Sequence, residues 1–403
     1  MAGSLEGVRL LDLSTVLLGP WAGQTLGDMG ADVIKVETPE GDLMRQLGPR
    51  VSDDMGSVHL GLNRNKRSIV IDLKHARGRE VLLRLAATAD VVMHNLRPSV
   101  AARLGVEYDD IRTANANIIY CAAYGFRSGG PYQDKPAYDD VIQGASGLAH
   151  LQSSISGEPR YVPSAAADKI TAMAVVSAIT AALFHRERHG VGQSIEVPMF
   201  ETMVSFLMVE HLYGHSFQPS KGTSGYPRVL SPHRRPYATT DGYLCVLPYS
   251  DANWISLFTI AERTDLLADP RFQTAAARLT HISEAYQILA EILSTKSSAQ
   301  WQELLEAANI PVMPVNSTDD LLDEAQLVAG NFWKLMEHPT EGSLRMTDPP
   351  VRFSESPSGI WRAPPHLGEH SVEVLDEAGY APGQIEALIN AGAIGVYQAP
   401  TPK

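Results

Sequence analysis

Short apolar runs alternate with amphipathic stretches through the first half of the chain. Val8–Leu13, Asp32–Glu37, Ser68–Leu73, Asp90–His94 and Ile118–Ala123 read as buried strands. Between them, roughly Trp21–Met29 and His75–Ala87 carry the three-to-four spacing of helices. Strands that alternate with helices predict a parallel, doubly wound α/β sheet. No internal repeat and no low-complexity tract interrupts the pattern.

The pattern changes near residue 163. Ile170–Phe184 is an alanine-rich apolar run that predicts a buried helix, too short to span a bilayer. It runs into His185-Arg186-Glu187-Arg188-His189-Gly190, basic residues and then glycine, as helix C-termini prefer. Gly192–Pro198 reads as a strand. The Pro-, Gly-, Ser- and Arg-rich residues 216–236 read as a linker. Beyond it, a strand at Gly242–Pro248 and helices at Trp254–Ala261, Glu284–Leu293 and Ala299–Ala307 predict a smaller α+β domain. A proline-rich crossing, Asp348–Pro365, leads to a short helix at Gln384–Asn390. The expected organisation is a large domain beginning over 1–215, a linker at 216–236, a small domain over 237–335, and a return to the large domain over 336–403.

Composition narrows the classes. With 33 basic and 46 acidic residues the net charge is −13, which disfavours a nucleic-acid partner. Only Cys121 and Cys245 are present, so neither a disulfide framework nor a cysteine–zinc cluster is expected. The N-terminal MAGSLEGVRLLDL lacks the pattern of a signal peptide and the C-terminal QAPTPK that of a peroxisomal address. A cytoplasmic protein with no membrane partner is the expectation.

Three places carry candidate chemistry. The first strand-turn-helix-strand invites a dinucleotide reading with Glu37 as the ribose acid. However, the turn reads Gly19-Pro20-Trp21-Ala22-Gly23, so the Gly-x-Gly-x-x-Gly fingerprint is absent. Glu37 then reads as a surface charge at a strand end. Residues 64–103 hold nine Lys or Arg against three acids. Arg77, Arg79 and Arg84 fit the exposed face of a helix. Lys66, Arg67, Arg97 and Arg103 flank strand ends, where arginine forks could meet phosphate. Asp168 precedes the long apolar helix in Pro163-Ser164-Ala165-Ala166-Ala167-Asp168. It reads first as an N-cap, worth ~1 kcal/mol, and second, without exclusion, as a reactive carboxylate at a helix N-terminus. The histidines and serines show no metal or hydrolase spacing, so no metal site is expected.

The chain resembles the class III CoA-transferases, a family that also contains the α-methylacyl-CoA racemases. The resemblance rests on Gly19-Pro20 with Leu26–Glu37, then Asn63-Arg64-Asn65-Lys66-Arg67-Ser68, Ala89-Asp90-Val91-Val92 and Asn95-Leu96-Arg97-Pro98. Gly125-Phe126 with Gly129-Gly130-Pro131, His185-Arg186 with Gly190-Val191-Gly192-Gln193, and Leu367-Gly368-Glu369-His370 continue it in order. It implies a Rossmann-like large domain built from both chain ends, a smaller inserted domain, and an interlocked homodimer. It also implies that Asp168 is a covalent nucleophile, with Asp139 beside the reacting centre. Val16, Leu17, Lys66, Arg67, Lys74, Asn95, Leu96, Arg97, Arg103, Tyr124 and Tyr138 would contact CoA. The thioester is then a substrate, and no permanently bound cofactor is implied.

Departures from the family pattern shape the expected reaction. Racemases carry a histidine in an Ala-Gly-His-Asp-like stretch. Here the stretch is Pro136-Ala137-Tyr138-Asp139, which removes the proton-abstracting base. Leu17 stands where the formyl-CoA and oxalate transferases have glutamine, and Thr38 where they have arginine. Their glycine run is absent around Gly222–Arg228. Arg228 with His233-Arg234-Arg235 could meet the far carboxylate of a longer diacid. The expectation is therefore CoA transfer from an acyl-CoA, with succinyl-CoA as a candidate donor, to a dicarboxylate acceptor through Asp168. Racemisation or isomerisation on the same fold is the alternative, and a nicotinamide-dependent dehydrogenase the third.

Overall fold

The computed structural model describes residues 3–398. Residues 1–2 and 399–403, the outer ends of the expected 1–215 and 336–403 segments and most of QAPTPK, lie outside the described residues. The chain divides into two compact units. The first holds residues 1–146, 163–205 and 329–403, and the second residues 147–162 and 206–328. Residues 216–236, expected as a linker, fall inside the second unit.

The first unit is organised around strands β1 (Arg9–Asp12), β2 (Asp32–Glu37), β3 (Lys66–Ile71), β4 (Val91–His94), β5 (Ile119–Ala122) and β6 (Ser194–Glu196). They form one parallel sheet in the order β3-β2-β1-β4-β5-β6, the doubly wound order that reverses between β1 and β4. Every residue of β3, β4 and β5 is buried, as befits parallel strands covered on both faces. Leu11, Ile34, Ile69 and Val92 pack with Val81, Leu82 and Leu85 of the helix Ala76–Ala86. Leu375, Ile385 and Leu388, from the helices Ser371–Glu377 and Pro382–Asn390, join the same core. The chain end thus returns to the sheet, and Ile394–Gly395 pairs antiparallel with β3.

The sequence expectations differ from this in instructive ways. β3 begins at Lys66, two residues before the expected Ser68, because its charges are neutralised internally. Lys66 Nζ pairs with Asp12 at 3.0 Å and Arg67 with Asp32 at 2.6 Å. The hairpin Trp333–His338 with Gly342–Thr347 and the helix Ser371–Glu377 were not anticipated; the hairpin is mostly solvent-facing and lacks a strict apolar alternation.

The long helix runs from Ala166 to His189, four residues earlier than expected, and ends on Gly190 at φ 71°, where glycine carries no Cβ penalty. Its buried residues Asp168, Thr171, Ala172, Val175, Ile179 and Ala182 form one stripe, which packs against the helices Leu18–Asp28 and Asp139–Ala145. At 24 residues it is long and apolar enough to cross a membrane by length and composition, contrary to the shorter expected run.

In the second unit Tyr237–Ala238 (β7), Tyr243–Val246 (β8) and Val312–Pro314 (β9) form an antiparallel sheet. Trp254, Leu257, Phe258, Leu289, Trp301 and Leu305 fill its core. Capping boxes at Ser250 and Ser297 fix the starts of the helices Asp251–Ile260 and Ser298–Ala307.

Candidate active site

Loops leaving β1, β4 and β5 meet where the strand order reverses, the position at which doubly wound sheets bind ligands. Thr15–Leu18, Asn95–Arg97 and Ala123–Gly125, together with Lys135–Tyr138, Asp168 and Met199, line a cavity of about 260 Å³. A neighbouring cavity of about 150 Å³ shares Thr15 and Leu96 with it and continues past Thr38–Asp42 to Lys74.

The cleft walls are held by short-range bonds. Asn95 pins the β1 loop by accepting Thr15 N–H at 3.0 Å and donating to Thr15 O at 2.8 Å. Val16 sits at φ 70°, a left-handed conformation that is costly for a β-branched residue. Its N–H points at both Asp42 carboxylate oxygens, 3.2 Å away, and Asp42 is itself fixed by buried Lys35 at 3.0 Å. Gly125 is required by contact: a Cβ there would lie 2.4 Å from that of Ala137 in the facing loop.

Asp168 is the third residue of its helix, and Ala165, not Asp168, occupies the N-cap. Its side chain makes no capping bond, so the N-cap role weighed from sequence is corrected. The first turn is served instead by Asp139, whose Oδ1 accepts Asp168 N–H at 3.0 Å. Gln143, one turn along the helix Asp139–Ala145, donates to Asp139 Oδ2 at 2.5 Å and to Ser164 O at 3.1 Å. The Asp168 carboxyl is thereby buried, beside a second carboxylate, with one face on the cleft. Burial first, and Asp139 second, push its pKa up to about 7, while Lys169 pulls the other way. A carboxylate poised near neutrality at a helix N-terminus can act as a nucleophile, and the helix dipole favours negative charge forming beside it.

Of the residues expected to contact CoA, Val16, Leu17, Asn95, Leu96, Arg97, Tyr124 and Tyr138 line the cleft with Asp168. Lys74 lines the adjoining cavity and Arg103 is exposed on the helix Pro98–Leu104. Lys66 and Arg67 are not brought there. Lys66 Nζ is fully buried against Asp12, Pro20 O and Asn63, and Arg67 binds Asp32, Glu373 and Glu377. Arg64 is likewise held by Asp28 at 2.7 Å. Three of the nine bases in 64–103 therefore neutralise acids of the same unit. Glu37, expected at the surface, is buried against Arg45 at 2.6 Å, which holds its pKa well below the usual carboxylate range despite the opposing effect of burial. Lys135 and Thr15 also line the cleft and were missed; Lys135 sits in an ordinary-looking loop, and nothing local in the sequence marks it.

A second cluster escaped the sequence altogether. His338, Glu341 and His366 bring ligand-type atoms within 4.8 Å of one another. Hydrogen bonds already engage them: His366 meets Asp54 and Thr340, His338 meets Pro364 O, and Glu341 accepts from Ser52. The cluster thus joins the hairpin Trp333–Thr347 to the loop around Ser52 and needs no ion for its polar groups to be satisfied.

Fold and cleft together define an α/β protein with a buried carboxyl of raised pKa at the switch point of a doubly wound sheet. The family model for CoA-transferase family III matches residues 5–371. The chain belongs to CoA-transferase family III. It is 34% identical over 395 residues to succinyl-CoA:glutarate CoA-transferase of Mus musculus, covering 97% of this chain and 90% of the relative. Succinyl-CoA:mesaconate CoA-transferase of Haloarcula hispanica is 33% identical over 394 residues, covering 94% and 98%. Among solved structures, a CAIB/BAIF family protein from Brucella suis superimposes with a TM-score of 0.78 at 31% identity, covering 94% of this chain and all of that one.

Proposed function

We propose that the protein transfers CoA from an acyl-CoA donor, with succinyl-CoA the favoured candidate, to a dicarboxylate acceptor through an aspartyl-CoA thioester on Asp168. The observation that carries this reading is the buried Asp168 carboxyl, opening on the cleft with its pKa raised to about 7 by burial and Asp139. Transferases acting on succinyl-CoA with glutarate or mesaconate, among the relatives, support the choice of donor and acceptor class.

The Asp168 carboxylate attacks the donor thioester carbonyl, giving a mixed anhydride and CoA thiolate. The thiolate attacks the Asp168 carbonyl, releasing the donor acid and leaving CoA on the aspartate. The acceptor carboxylate attacks that thioester, forming a second anhydride and freeing the thiolate again. Thiolate attack on the acceptor carbonyl then yields the new acyl-CoA and restores Asp168. Each step exchanges acyl bonds of similar energy, so no nucleotide hydrolysis is required. Tyr138 stands where racemases carry histidine, so the imidazole that would abstract the α-proton is absent. The nicotinamide reading loses its ribose acid, because Glu37 is committed to Arg45.

The same proposal places CoA's phosphates toward Lys74, Arg97 and Arg103, in an interlocked homodimer of the reducing cytoplasm that engages neither membrane nor nucleic acid. Incubation with succinyl-CoA alone, followed by peptide mass spectrometry, tests the covalent step. CoA or succinyl mass should appear on the Asp168 peptide, and vanish in Asp168→Ala. An unmodified Asp168 peptide under turnover conditions would overturn it.

A further inference from the structure

The second unit contains seven arginines, and they fall into two groups. Arg160, Arg263, Arg271 and Arg278 each pair with a carboxylate: Glu158, Asp265, Asp269 and Asp251. Arg228, Arg234 and Arg235 have no carboxylate partner among the described residues, and these three line one cavity of about 410 Å³. That volume lies within the ~300–1,000 Å³ of ordinary ligand pockets. No Asp or Glu lines it. In a chain of net charge −13, three unpaired guanidiniums converging on one space are a departure that sequence-wide composition does not explain.

The cavity is built as well as charged. Arg228 Nε donates to the Tyr286 hydroxyl at 3.0 Å, and Tyr286 is buried on the helix Ile282–Leu293, so one fork is held in place. Burial raises the pKa of the Tyr237 phenol, and Arg234, Arg235 and Arg228 lie near enough to oppose that rise without reversing it. His233, which the sequence grouped with them, is not part of the lining. Val246, Leu247, Val312 and Met313 give the rest of the wall an aliphatic stretch, beside Tyr237, Tyr286, Cys245 and two prolines. Arginine forks match a carboxylate bidentately, and the aliphatic stretch accepts methylenes more readily than a hydrated inorganic ion.

We propose that this cavity is a binding site for a short aliphatic carboxylic acid, its carboxylate on Arg228, Arg234 and Arg235 and its methylenes on Val246 and Val312. The site is defined by direct binding and does not depend on transfer at Asp168. Cys245, the exposed cysteine, also lines the cavity, whereas Cys121 is buried, so alkylation of Cys245 reports on the space locally.

The full chain is alkylated with iodoacetate, which is anionic, and with iodoacetamide, which is neutral, and modification of the Cys245 peptide is followed by mass spectrometry. The iodoacetate-to-iodoacetamide rate ratio should fall severalfold in Arg234→Ala/Arg235→Ala and in Arg228→Met. Millimolar glutarate should protect Cys245 in the native chain and fail to protect it in the variants. Circular dichroism identifies any variant that fails to fold, and glutarate protection of the native chain tests the site without a variant. An unchanged ratio in folded variants, or no protection by glutarate, would overturn the proposal. Protection by inorganic phosphate or by CoA, with none by glutarate, would also overturn it and assign the cavity to a phosphate.

Discussion

Asp139 Oδ1 accepts the backbone N–H of Asp168 at 3.0 Å, so one carboxylate holds the start of the helix that carries the other. The bond fixes where the Asp168 side chain emerges, and the charge of Asp139 raises the pKa of its neighbour. Positioning and electrostatics thus come from a single group, and they can be separated by substitution.

Asp139→Asn keeps an oxygen able to accept the amide and removes the charge. Formation of the covalent intermediate needs Asp168 ionised, so its rate in the native protein should rise with pH through an apparent pKa near 7. In Asp139→Asn the rise should move to lower pH, while burial keeps it above the ordinary aspartate value of ~4. Asp139→Ala should in addition lower the rate at every pH, because the Asp168 amide loses its acceptor. Single-turnover kinetics between pH 5 and 9 resolve the two effects; identical profiles in native and Asp139→Asn protein would refute the coupling.

Asp168→Asn should abolish transfer and yet stabilise the fold in alkaline solution. A carboxyl whose folded pKa exceeds its unfolded value binds more protons when folded, so its contribution to stability declines as pH rises from ~4 to ~7. Above pH 7 the native protein bears the full cost of a buried charge, bounded at ~4 kcal/mol by about three pH units at ~1.4 kcal/mol each. Asparagine is free of that cost. Denaturant titration at pH 5 and pH 8 should show Asp168→Asn gaining on the native protein at the higher pH. An equal difference at both values would mean that the Asp168 carboxyl is not shifted.

Much of this architecture was legible because the strands are apolar and regular. β2 was bounded correctly at Asp32 and Glu37, and the other parallel strands were placed within two residues, whereas the antiparallel Ile394–Gly395 at the sheet edge was not anticipated. The residues that misled were charged ones that fold inward. Lys66, Arg67 and Glu37 look like surface or ligand groups in a linear reading, since their partners Asp12, Asp32 and Arg45 are up to 54 residues away. Asp168 looked like an N-cap because the helix start was placed too late; the true cap, Ala165, makes no side-chain signal. Lys135 gains its place only through tertiary contacts, as do the bond of Gln143 to Ser164 O and the trio His338, Glu341 and His366.

Two lysines of one segment should respond in opposite ways. Lys74 is exposed beside the adjoining cavity, so Lys74→Ala should leave stability within ~0.5 kcal/mol and weaken CoA binding severalfold, less so at high salt. Lys66 is buried on Asp12, and Lys66→Met removes that carboxylate's ion-pair partner in the core, costing ~3–5 kcal/mol. Calorimetric CoA titration of each, with denaturant curves, checks both. A stable Lys66→Met protein with reduced CoA affinity would return Lys66 to the ligand-binding set.

Val16 offers a test of strain held at the cleft. At φ 70° its β-branched side chain carries a backbone cost of ~1–3 kcal/mol. The conformation is maintained by the Asp42 carboxylate on its N–H and by Lys35 behind Asp42. Val16→Gly removes the Cβ clash and pays ~0.5–1 kcal/mol for the greater freedom of glycine in the unfolded chain, so a net gain of ~1 kcal/mol is expected. If the strained turn exists to present Val16 and Leu17 to CoA, the same variant should bind CoA more weakly, since the loop can then relax away from the cleft. Asp42→Asn should weaken binding as well, and without the gain in stability, because it loosens the clamp and leaves the strain and the buried Lys35 charge in place. Chemical denaturation and CoA titration of both variants decide the matter. A Val16→Gly protein that is less stable and binds CoA normally would show that the turn is not strained in solution.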